Sequence, residues 1–200
     1  LGSLVLIGFS VGDGTADSTM TFTAPKNNVN NALNGLVYTP TANFNGSSLL
    51  TITTSDLGVT GIGGVQTDTD TVAITVNPVN DAPVNSVPAA QSVNEDTALV
   101  FSSANSNLIS VSDIDATSLE VTLSVTNGAL TLGSLTGLTF TAGDGTSDAS
   151  MTFSGSKANI NAALSGLAYL PTANFNGSSL LTITTSDLGQ TGSGGTLTDT

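Results

Sequence analysis

Short stretches in which apolar and polar residues alternate, separated by turn residues, dominate the chain. The longest run is Leu119–Val125, and a second one is Val72–Val76. Shorter runs around Phe22 and Ile52 each follow a glycine-containing turn. A side-chain period of two places the apolar residues on one face of a half-buried β-strand. Several such strands at spacings of about ten residues predict antiparallel sheets packed as a sandwich.

One segment has helical spacing instead. Its apolar residues Ile160, Ala163, Leu164 and Leu167 recur at the i, i+3, i+4, i+7 positions of one helix face. Ser156 is suited to cap the N-terminus and Gly166 to end the helix. The spacing predicts a crossover helix of two or three turns packed on the sandwich, with an irregular loop as the alternative.

The chain repeats itself. Residues 1–69 align without a gap with residues 132–200, and 47 of these 69 positions are identical, including the whole of Thr41–Gly58. The helical pattern recurs in the first copy from Val29 to Leu36, after Pro25. One period falls in the size range of a single domain, so each repeat is expected to be a domain of its own.

The boundary between repeats is predicted at the segment Asn77–Pro83. It contains two prolines, which cannot donate a hydrogen bond to a sheet and therefore end the preceding strand. Residues 1–76 are thus interpreted as the C-terminal part of one repeat and residues 77–83 as a stiff linker. Residues 84–200 are interpreted as a second repeat that lacks its last strand.

The composition excludes several functions. The formal net charge is −13, with 15 acidic residues against two lysines, so nucleic acid and anionic membranes are not expected partners. The chain has no histidine and no cysteine, which rules out the common catalytic triads and zinc sites and predicts that it is not an enzyme. No apolar run approaches the roughly 20 residues of a membrane span, so membrane insertion is not expected.

Five segments together resemble a known family. Val72–Pro83 looks like the end of a cadherin repeat with its linker, and Asp113–Asp115 and Thr185–Gly189 look like two later cadherin segments. With Asn94–Thr97 and Tyr38–Gly46, the order of motifs is most similar to the bacterial cadherin-like and VCBS-type tandem repeats of giant secreted RTX-type adhesins. The resemblance implies an all-β fold of tandem Ig-like, cadherin-like Greek-key β-sandwich domains. It also implies an extracellular location at the bacterial cell surface.

The resemblance further implies calcium, a hard cation that prefers six to eight oxygen ligands. It would place Asn80, Asp81, Asp113, Asp115 and Asp187 at the junction between the two repeats. Glu95 would serve the next junction and Asp56 the preceding one. Asn77 stands where the cadherin linker begins with aspartate, so fewer or weaker ions are expected than in a vertebrate cadherin.

Each of these residues has a simpler interpretation, because aspartate and asparagine side chains commonly bond to nearby backbone amides in turns. The same alternative applies to the loops Asp13–Asp17 and Asp144–Asp148 and to the pair Asp68 and Asp70. The expected function is a structural and adhesive repeat region, rigidified by calcium and in contact with neighbouring identical repeats. A self-assembling filament, sheath or biofilm matrix subunit and a carbohydrate-binding accessory module are the alternatives.

Overall fold

A computed structural model describes residues 1–59 and 61–200, which divide into two compact units, Leu1–Val76 (unit 1) and Asn77–Thr200 (unit 2). Most of the regular structure is β-strand in small antiparallel sheets, with two short helices, so the prediction of an all-β chain is confirmed. Among the described residues, no helix has the length and apolar character needed to cross a membrane.

The described residues of unit 1 form four strands and one helix. In chain order they are β1 (Gly8–Val11), β2 (Thr21–Thr23), α1 (Lys26–Leu33), β3 (Gly46–Ser55) and β4 (Thr67–Val76). The strand β4 ends at Val76, immediately before Asn77 and Pro78, as the proline pattern predicts.

Unit 2 contains ten strands and one helix. In chain order they are β5 (Val84–Ser86), β6 (Leu99–Val100), β7 (Ser110–Ser112), β8 (Ser118–Val125), β9 (Gly128–Thr131), β10 (Leu138–Ala142), β11 (Ser150–Ser156), α2 (Lys157–Leu164), β12 (Ala168–Pro171), β13 (Leu181–Ser186) and β14 (Thr198–Asp199).

The central strand of unit 2 is β8. It pairs with β11 on one side and β13 on the other, in a five-stranded antiparallel sheet of order β10-β11-β8-β13-β14. The apolar residues that alternate in the sequence of β8 are the buried ones, since Leu119, Val121 and Leu123 are all fully buried. Each such side chain contributes about 1.5–3 kcal/mol when it leaves water.

The core of unit 2 also takes side chains from the three-stranded sheet β6-β12-β9 and from α2. It is one contiguous cluster of buried apolar residues: Phe101, Ile109, Val111, Ala116, Leu119, Val121, Leu123, Leu130, Leu132, Met151, Phe153, Ile160, Ala163, Leu164, Leu167, Tyr169 and Ile183.

The helix α2 forms where the spacing predicts it. In its first turn the backbone N–H of Asn159 donates to the Ser156 hydroxyl at 3.2 Å, which caps the helix. Ile160, Ala163 and Leu164 turn into the core. The backbone leaves the helical region at Ser165 and turns at Gly166, where φ is +101°, a conformation that glycine adopts without strain.

Unit 1 repeats the outer strand pairs of the five-stranded sheet of unit 2, but its described residues include no central strand. Phe9 pairs with Phe22 as Phe140 pairs with Phe153, and both ring pairs have centroids 5.6 Å apart. Residues 1–76 contain no counterpart of β8, so β1-β2 and β3-β4 are separate two-stranded sheets. Among the described residues of unit 1, only Ala32 is a buried apolar residue.

Candidate functional site

The segment that precedes β5 is built into unit 2 through Asn80. Its backbone N–H donates to the carbonyl of Ser193 at 2.9 Å, and the Ser193 N–H donates to the carbonyl of Pro78 at 3.1 Å. The side chain is only 6% exposed. It donates to the carboxylate of Asp187 and to the carbonyl of Gly195, and it accepts the Thr191 hydroxyl at 2.8 Å. Both N–H groups and the oxygen of the Asn80 amide thus have hydrogen-bond partners, as a buried amide out of reach of water requires.

Asp187 is the acceptor at the centre of this arrangement, and it is fully buried. One oxygen accepts the N–H groups of Gly189 at 2.8 Å and Leu197 at 2.9 Å, and the other accepts the Asn80 amide. Burial raises the pKa of the Asp187 carboxyl. The N–H groups of Leu197 and Gly189 and the Asn80 amide outweigh that effect and hold the pKa below its ordinary value of 3.8.

Asp56, the counterpart of Asp187 in unit 1, makes the same local contacts. One of its oxygens accepts the N–H groups of Gly58 and Gln66, both at 2.9 Å. The N–H of Gln66, and then that of Gly58, lowers the pKa of Asp56 below 3.8. Because Asp56 is exposed, this carboxylate braces the loop between β3 and β4 at the surface. The loop-bracing role is therefore common to both copies, and the contact with an asparagine equivalent to Asn80 is described only in unit 2.

A second set of carboxylates, those of Asp113 and Asp115, lies between β7 and β8. Asp113 Oδ1 accepts the N–H groups of Asp115 at 2.8 Å and Ala116 at 2.6 Å, which forms a tight turn. Asp115 Oδ2 accepts the N–H of Asp81 at 2.8 Å, so the segment after Asn80 is held here as well. Lys157 donates to the backbone carbonyl of Asp113 at 2.6 Å. Asp113 Oδ2 is buried and has no hydrogen-bond partner.

The remaining candidate ligand, Glu95, is exposed, and its side chain makes no hydrogen bond among the described residues. Its backbone carbonyl accepts the Thr97 hydroxyl, while the adjacent Asp96 accepts the N–H of Asn174 at 2.8 Å. In the loops Asp13–Asp17 and Asp144–Asp148, the aspartates accept N–H groups of the same loop, the pattern of a turn. Asp68 and Asp70 lie exposed within β4.

Sequence reasoning missed a second asparagine that works like Asn80. The Asn85 backbone N–H donates to the Asp199 carboxylate at 2.6 Å, and its amide accepts the hydroxyl of the fully buried Thr185 at 2.6 Å. The only signal was the repetition of Asp199 at Asp68 in the other copy. Asn85 itself carries no local pattern that distinguishes it from a turn residue.

The structure thus joins five of the candidate ligands in two groups: Asn80 with Asp187, and Asp81 with Asp115 and Asp113. Over residues 1–59 and 61–200, no three or more acidic, histidine or cysteine residues are grouped so that they could hold a metal ion. The oxygens of Asp187 are occupied by N–H donors, whereas Asp113 Oδ2 has no hydrogen-bond partner.

Comparison of the chain with protein-family models, with curated proteins and with solved structures finds no match.

Proposed function

We propose that this chain is a structural repeat region of a large extracellular bacterial surface protein, in which tandem domains hold a distal part of the protein away from the cell. Each domain is proposed to be a cadherin-like, Ig-like Greek-key sandwich. The internal repeat, the all-β fold and the acidic, cysteine-free composition support this assignment.

The observation that carries the proposal is the length of chain between the last strand of unit 1 and the first described hydrogen bond of unit 2. Unit 1 ends in β4 at Val76, and Pro78 is already hydrogen bonded to Ser193 of unit 2. One residue, Asn77, therefore lies between the two sets of contacts. A flexible linker spreads the distance between its ends in proportion to the square root of its length, so a one-residue connection suits a protein that transmits extension.

Calcium at the junction is part of the proposal. Asp113, Asp115 and Asp81 are proposed to converge on the ion, since over the described residues they do not form a metal-binding group on their own. Asp113 Oδ2 is a buried oxygen without a hydrogen-bond partner among them. A bound cation would replace repulsion between these carboxylates with attraction and would stabilise the folded unit by mass action. Location at the cell surface follows from the same resemblance and is proposed with it.

The two alternatives differ in the support they have. Among the described residues, β2 pairs only with β1 and β3 only with β4, and strand edges of this kind allow the association between repeats that a filament or matrix subunit would use. A carbohydrate-binding module would need an exposed aromatic platform. Tyr169 does not supply one, because the residue is only 8% exposed and its hydroxyl donates to the carbonyl of Asn127 at 3.0 Å, so only Tyr38, which is 43% exposed, is a candidate among the tyrosines.

The test is the width of the distance distribution between the units. The chain has no native cysteine, so Thr71→Cys in β4 and Thr139→Cys in β10 allow spin labels to be attached at exposed strand positions in each unit. We expect a narrow distribution for the unmodified chain. Asn80→Ala should broaden it, because loss of the amide releases Pro78–Asp81 from the Ser193 loop.

Asn176→Ala is the matched control, since Asn176 is exposed and its side chain has no described partner. It should leave the distribution unchanged. Millimolar calcium should narrow the distribution further, and the pair Asp113→Asn with Asp115→Asn should abolish that response. A broad distribution in the unmodified chain, with or without calcium, would contradict the proposed spacer function.

A further inference from the structure

Lys157 carries the only positively charged side chain of residues 77–200, and Lys26 carries the only one of residues 1–76. Lys157 is the first residue of α2, where the helix dipole disfavours a positive charge and the first turn holds no acidic residue to offset it. The helix therefore does not account for a charge at this position. The contacts of the ammonium group provide the explanation.

The ammonium group of Lys157 lies on the turn formed by residues 113–116, named here the Asp113 turn. Its Nζ donates to the backbone carbonyl of Asp113 at 2.6 Å. Asp113 Oδ1 closes the turn by accepting the N–H groups of Asp115 and Ala116, while Asp115 Oδ2 accepts the N–H of Asp81. Asp113 Oδ2 is buried and has no hydrogen-bond partner. The only basic side chain of residues 77–200 is thus placed at a turn that carries two carboxylates.

A neighbouring residue of α2 fixes the position of Lys157 over this turn. The Asn161 amide accepts the N–H of Val111 and donates to its carbonyl, both at 2.9 Å, which binds the helix to β7. Lys157 and Asn161 are four residues apart and lie on the same face of the helix. Their partners, Asp113 and Val111, are two residues apart in the chain. The lysine contact is therefore part of the packing of α2 and not the position of a flexible surface side chain.

We propose that the Lys157 ammonium group is a built-in counter-cation of the Asp113 turn, and that calcium binds at this turn only by displacing it. The inference rests on the calcium site of the proposed function and goes beyond it, because it assigns the residue that sets the affinity. The Asp113 carbonyl is an oxygen of the kind that calcium prefers, and the ammonium group already occupies it. Two cations at one turn repel each other, so the ion binds more weakly while Lys157 is present.

Displacement also accounts for the arrangement of the carboxylates. Asp113, Asp115 and Asp81 do not form a metal-binding group over the described residues. The ammonium group balances part of their charge, and N–H donors hold one oxygen each of Asp113 and Asp115. The Asp113 carbonyl and Asp113 Oδ2 are then the oxygens that become available to an ion when Lys157 leaves.

The experiment measures calcium affinity by isothermal titration calorimetry on the whole 200-residue chain at low ionic strength. Lys157→Met removes the charge and keeps an unbranched side chain. We expect it to bind calcium at least about fivefold more tightly than the unmodified chain, because a like charge leaves the site. Lys157→Arg keeps the charge and should not reproduce this gain.

Lys26→Met is the matched control. Lys26 occupies the same position in the first repeat, and its replacement changes the net charge by the same amount. Residues 1–76 contain no Asp-x-Asp segment of the Asp113 type next to this lysine in the structure described. The calcium affinity of Lys26→Met should therefore equal that of the unmodified chain.

A second readout separates this role from a purely structural one. Thermal unfolding of unit 2 is followed by the fluorescence of Tyr169 in a Tyr38→Phe background, with chelator and with millimolar calcium. In chelator, Lys157→Met should lower the Tm, because the Asp113 carbonyl loses its donor. Calcium should then raise the Tm of Lys157→Met by more than it raises that of the unmodified chain. A purely structural role would lower the Tm equally in both conditions.

The outcomes distinguish the role of Lys157 from the presence of a calcium site. Equal affinities of the unmodified chain and Lys157→Met overturn the inference and leave the calcium site in place. Binding by Lys157→Met alone supports the inference and removes calcium from the proposed function of the unmodified chain. Absence of binding in every variant overturns both. Adding Asp113→Asn to Lys157→Met should abolish the gain, and a gain that persists places the ion elsewhere and overturns the inference.

Discussion

Units 1 and 2 carry nearly the same sequence in different surroundings. Phe22 and Phe153 are identical, occupy equivalent strands and contact equivalent phenylalanines, yet Phe153 is fully buried and Phe22 is partly exposed. The difference comes from β8 and the residues around it, which exist only in unit 2. Local sequence therefore decides the strands and their register, while burial depends on a segment that lies elsewhere in the chain.

The largest test of this comparison is truncation of the two equivalent phenylalanines. Phe153→Ala should reduce the free energy of unfolding of unit 2 by about 3–5 kcal/mol, because it removes a fully buried ring from a closed core. Phe22→Ala should cost unit 1 less than about 1.5 kcal/mol, since its ring is already in contact with water.

Each unit contains one tyrosine, so tyrosine fluorescence can report on each separately during guanidinium unfolding. The Tyr38→Phe background leaves only Tyr169, in unit 2, and Tyr169→Phe leaves only Tyr38, in unit 1. Equal losses for the two phenylalanine variants would break the comparison and would mean that unit 1 has a core of its own.

The second test compares the two loop-bracing aspartates. Asp187→Ala should destabilise unit 2 by about 2–3 kcal/mol, because the N–H groups of Leu197 and Gly189 and the Asn80 amide would be buried without an acceptor. Asp56→Ala should have a much smaller effect on unit 1, since water can reach the same N–H groups there. Thermal unfolding of both variants measures this, and a larger effect for Asp56 would contradict the assignment.

The smallest expected effect is the contribution of Asp187 to the pH dependence of the stability of unit 2. The pKa of Asp187 is lower in the folded chain than its ordinary value of 3.8, so the unfolded chain binds the proton more readily. The resulting stabilisation is complete above that value and is lost as the pH falls below it towards the folded pKa. Unfolding of unit 2 measured from pH 5 to pH 2 should show a shallower decline for Asp187→Asn. Parallel curves for the variant and the unmodified chain would contradict it.

Periodicity was sufficient to predict the strands around Leu119–Val125 and Val72–Val76 and the helix after Ser156, because these signals are local. It could not predict that Asn80 reaches Asp187, which lies 107 residues away and is held by the fold of the whole unit. Nor could it separate Met20 from Met151, because the residues surrounding them in sequence are nearly the same. The repeat demonstrates this limit of sequence-based prediction, because identical residues lie in different environments in the two units.

The candidate site likewise combines local contacts that the sequence predicts with long-range contacts that it does not. The tendency of Asp113 to form a turn with Asp115 and Ala116 is a property of three neighbouring residues and was foreseeable as the simpler alternative. The pairing of Asn85 with Asp199 joins two ends of unit 2 and has no local signal. The proposed calcium ligands stay a prediction that the distance measurements would decide.

The central position of β8 also has a consequence for the order of assembly during synthesis. Its two partners, β11 and β13, both follow it in the chain, so the middle of the five-stranded sheet cannot close until Leu181–Ser186 has emerged from the ribosome. During that interval Leu119, Val121 and Leu123 are without the two strands beside which they are fully buried in the folded unit.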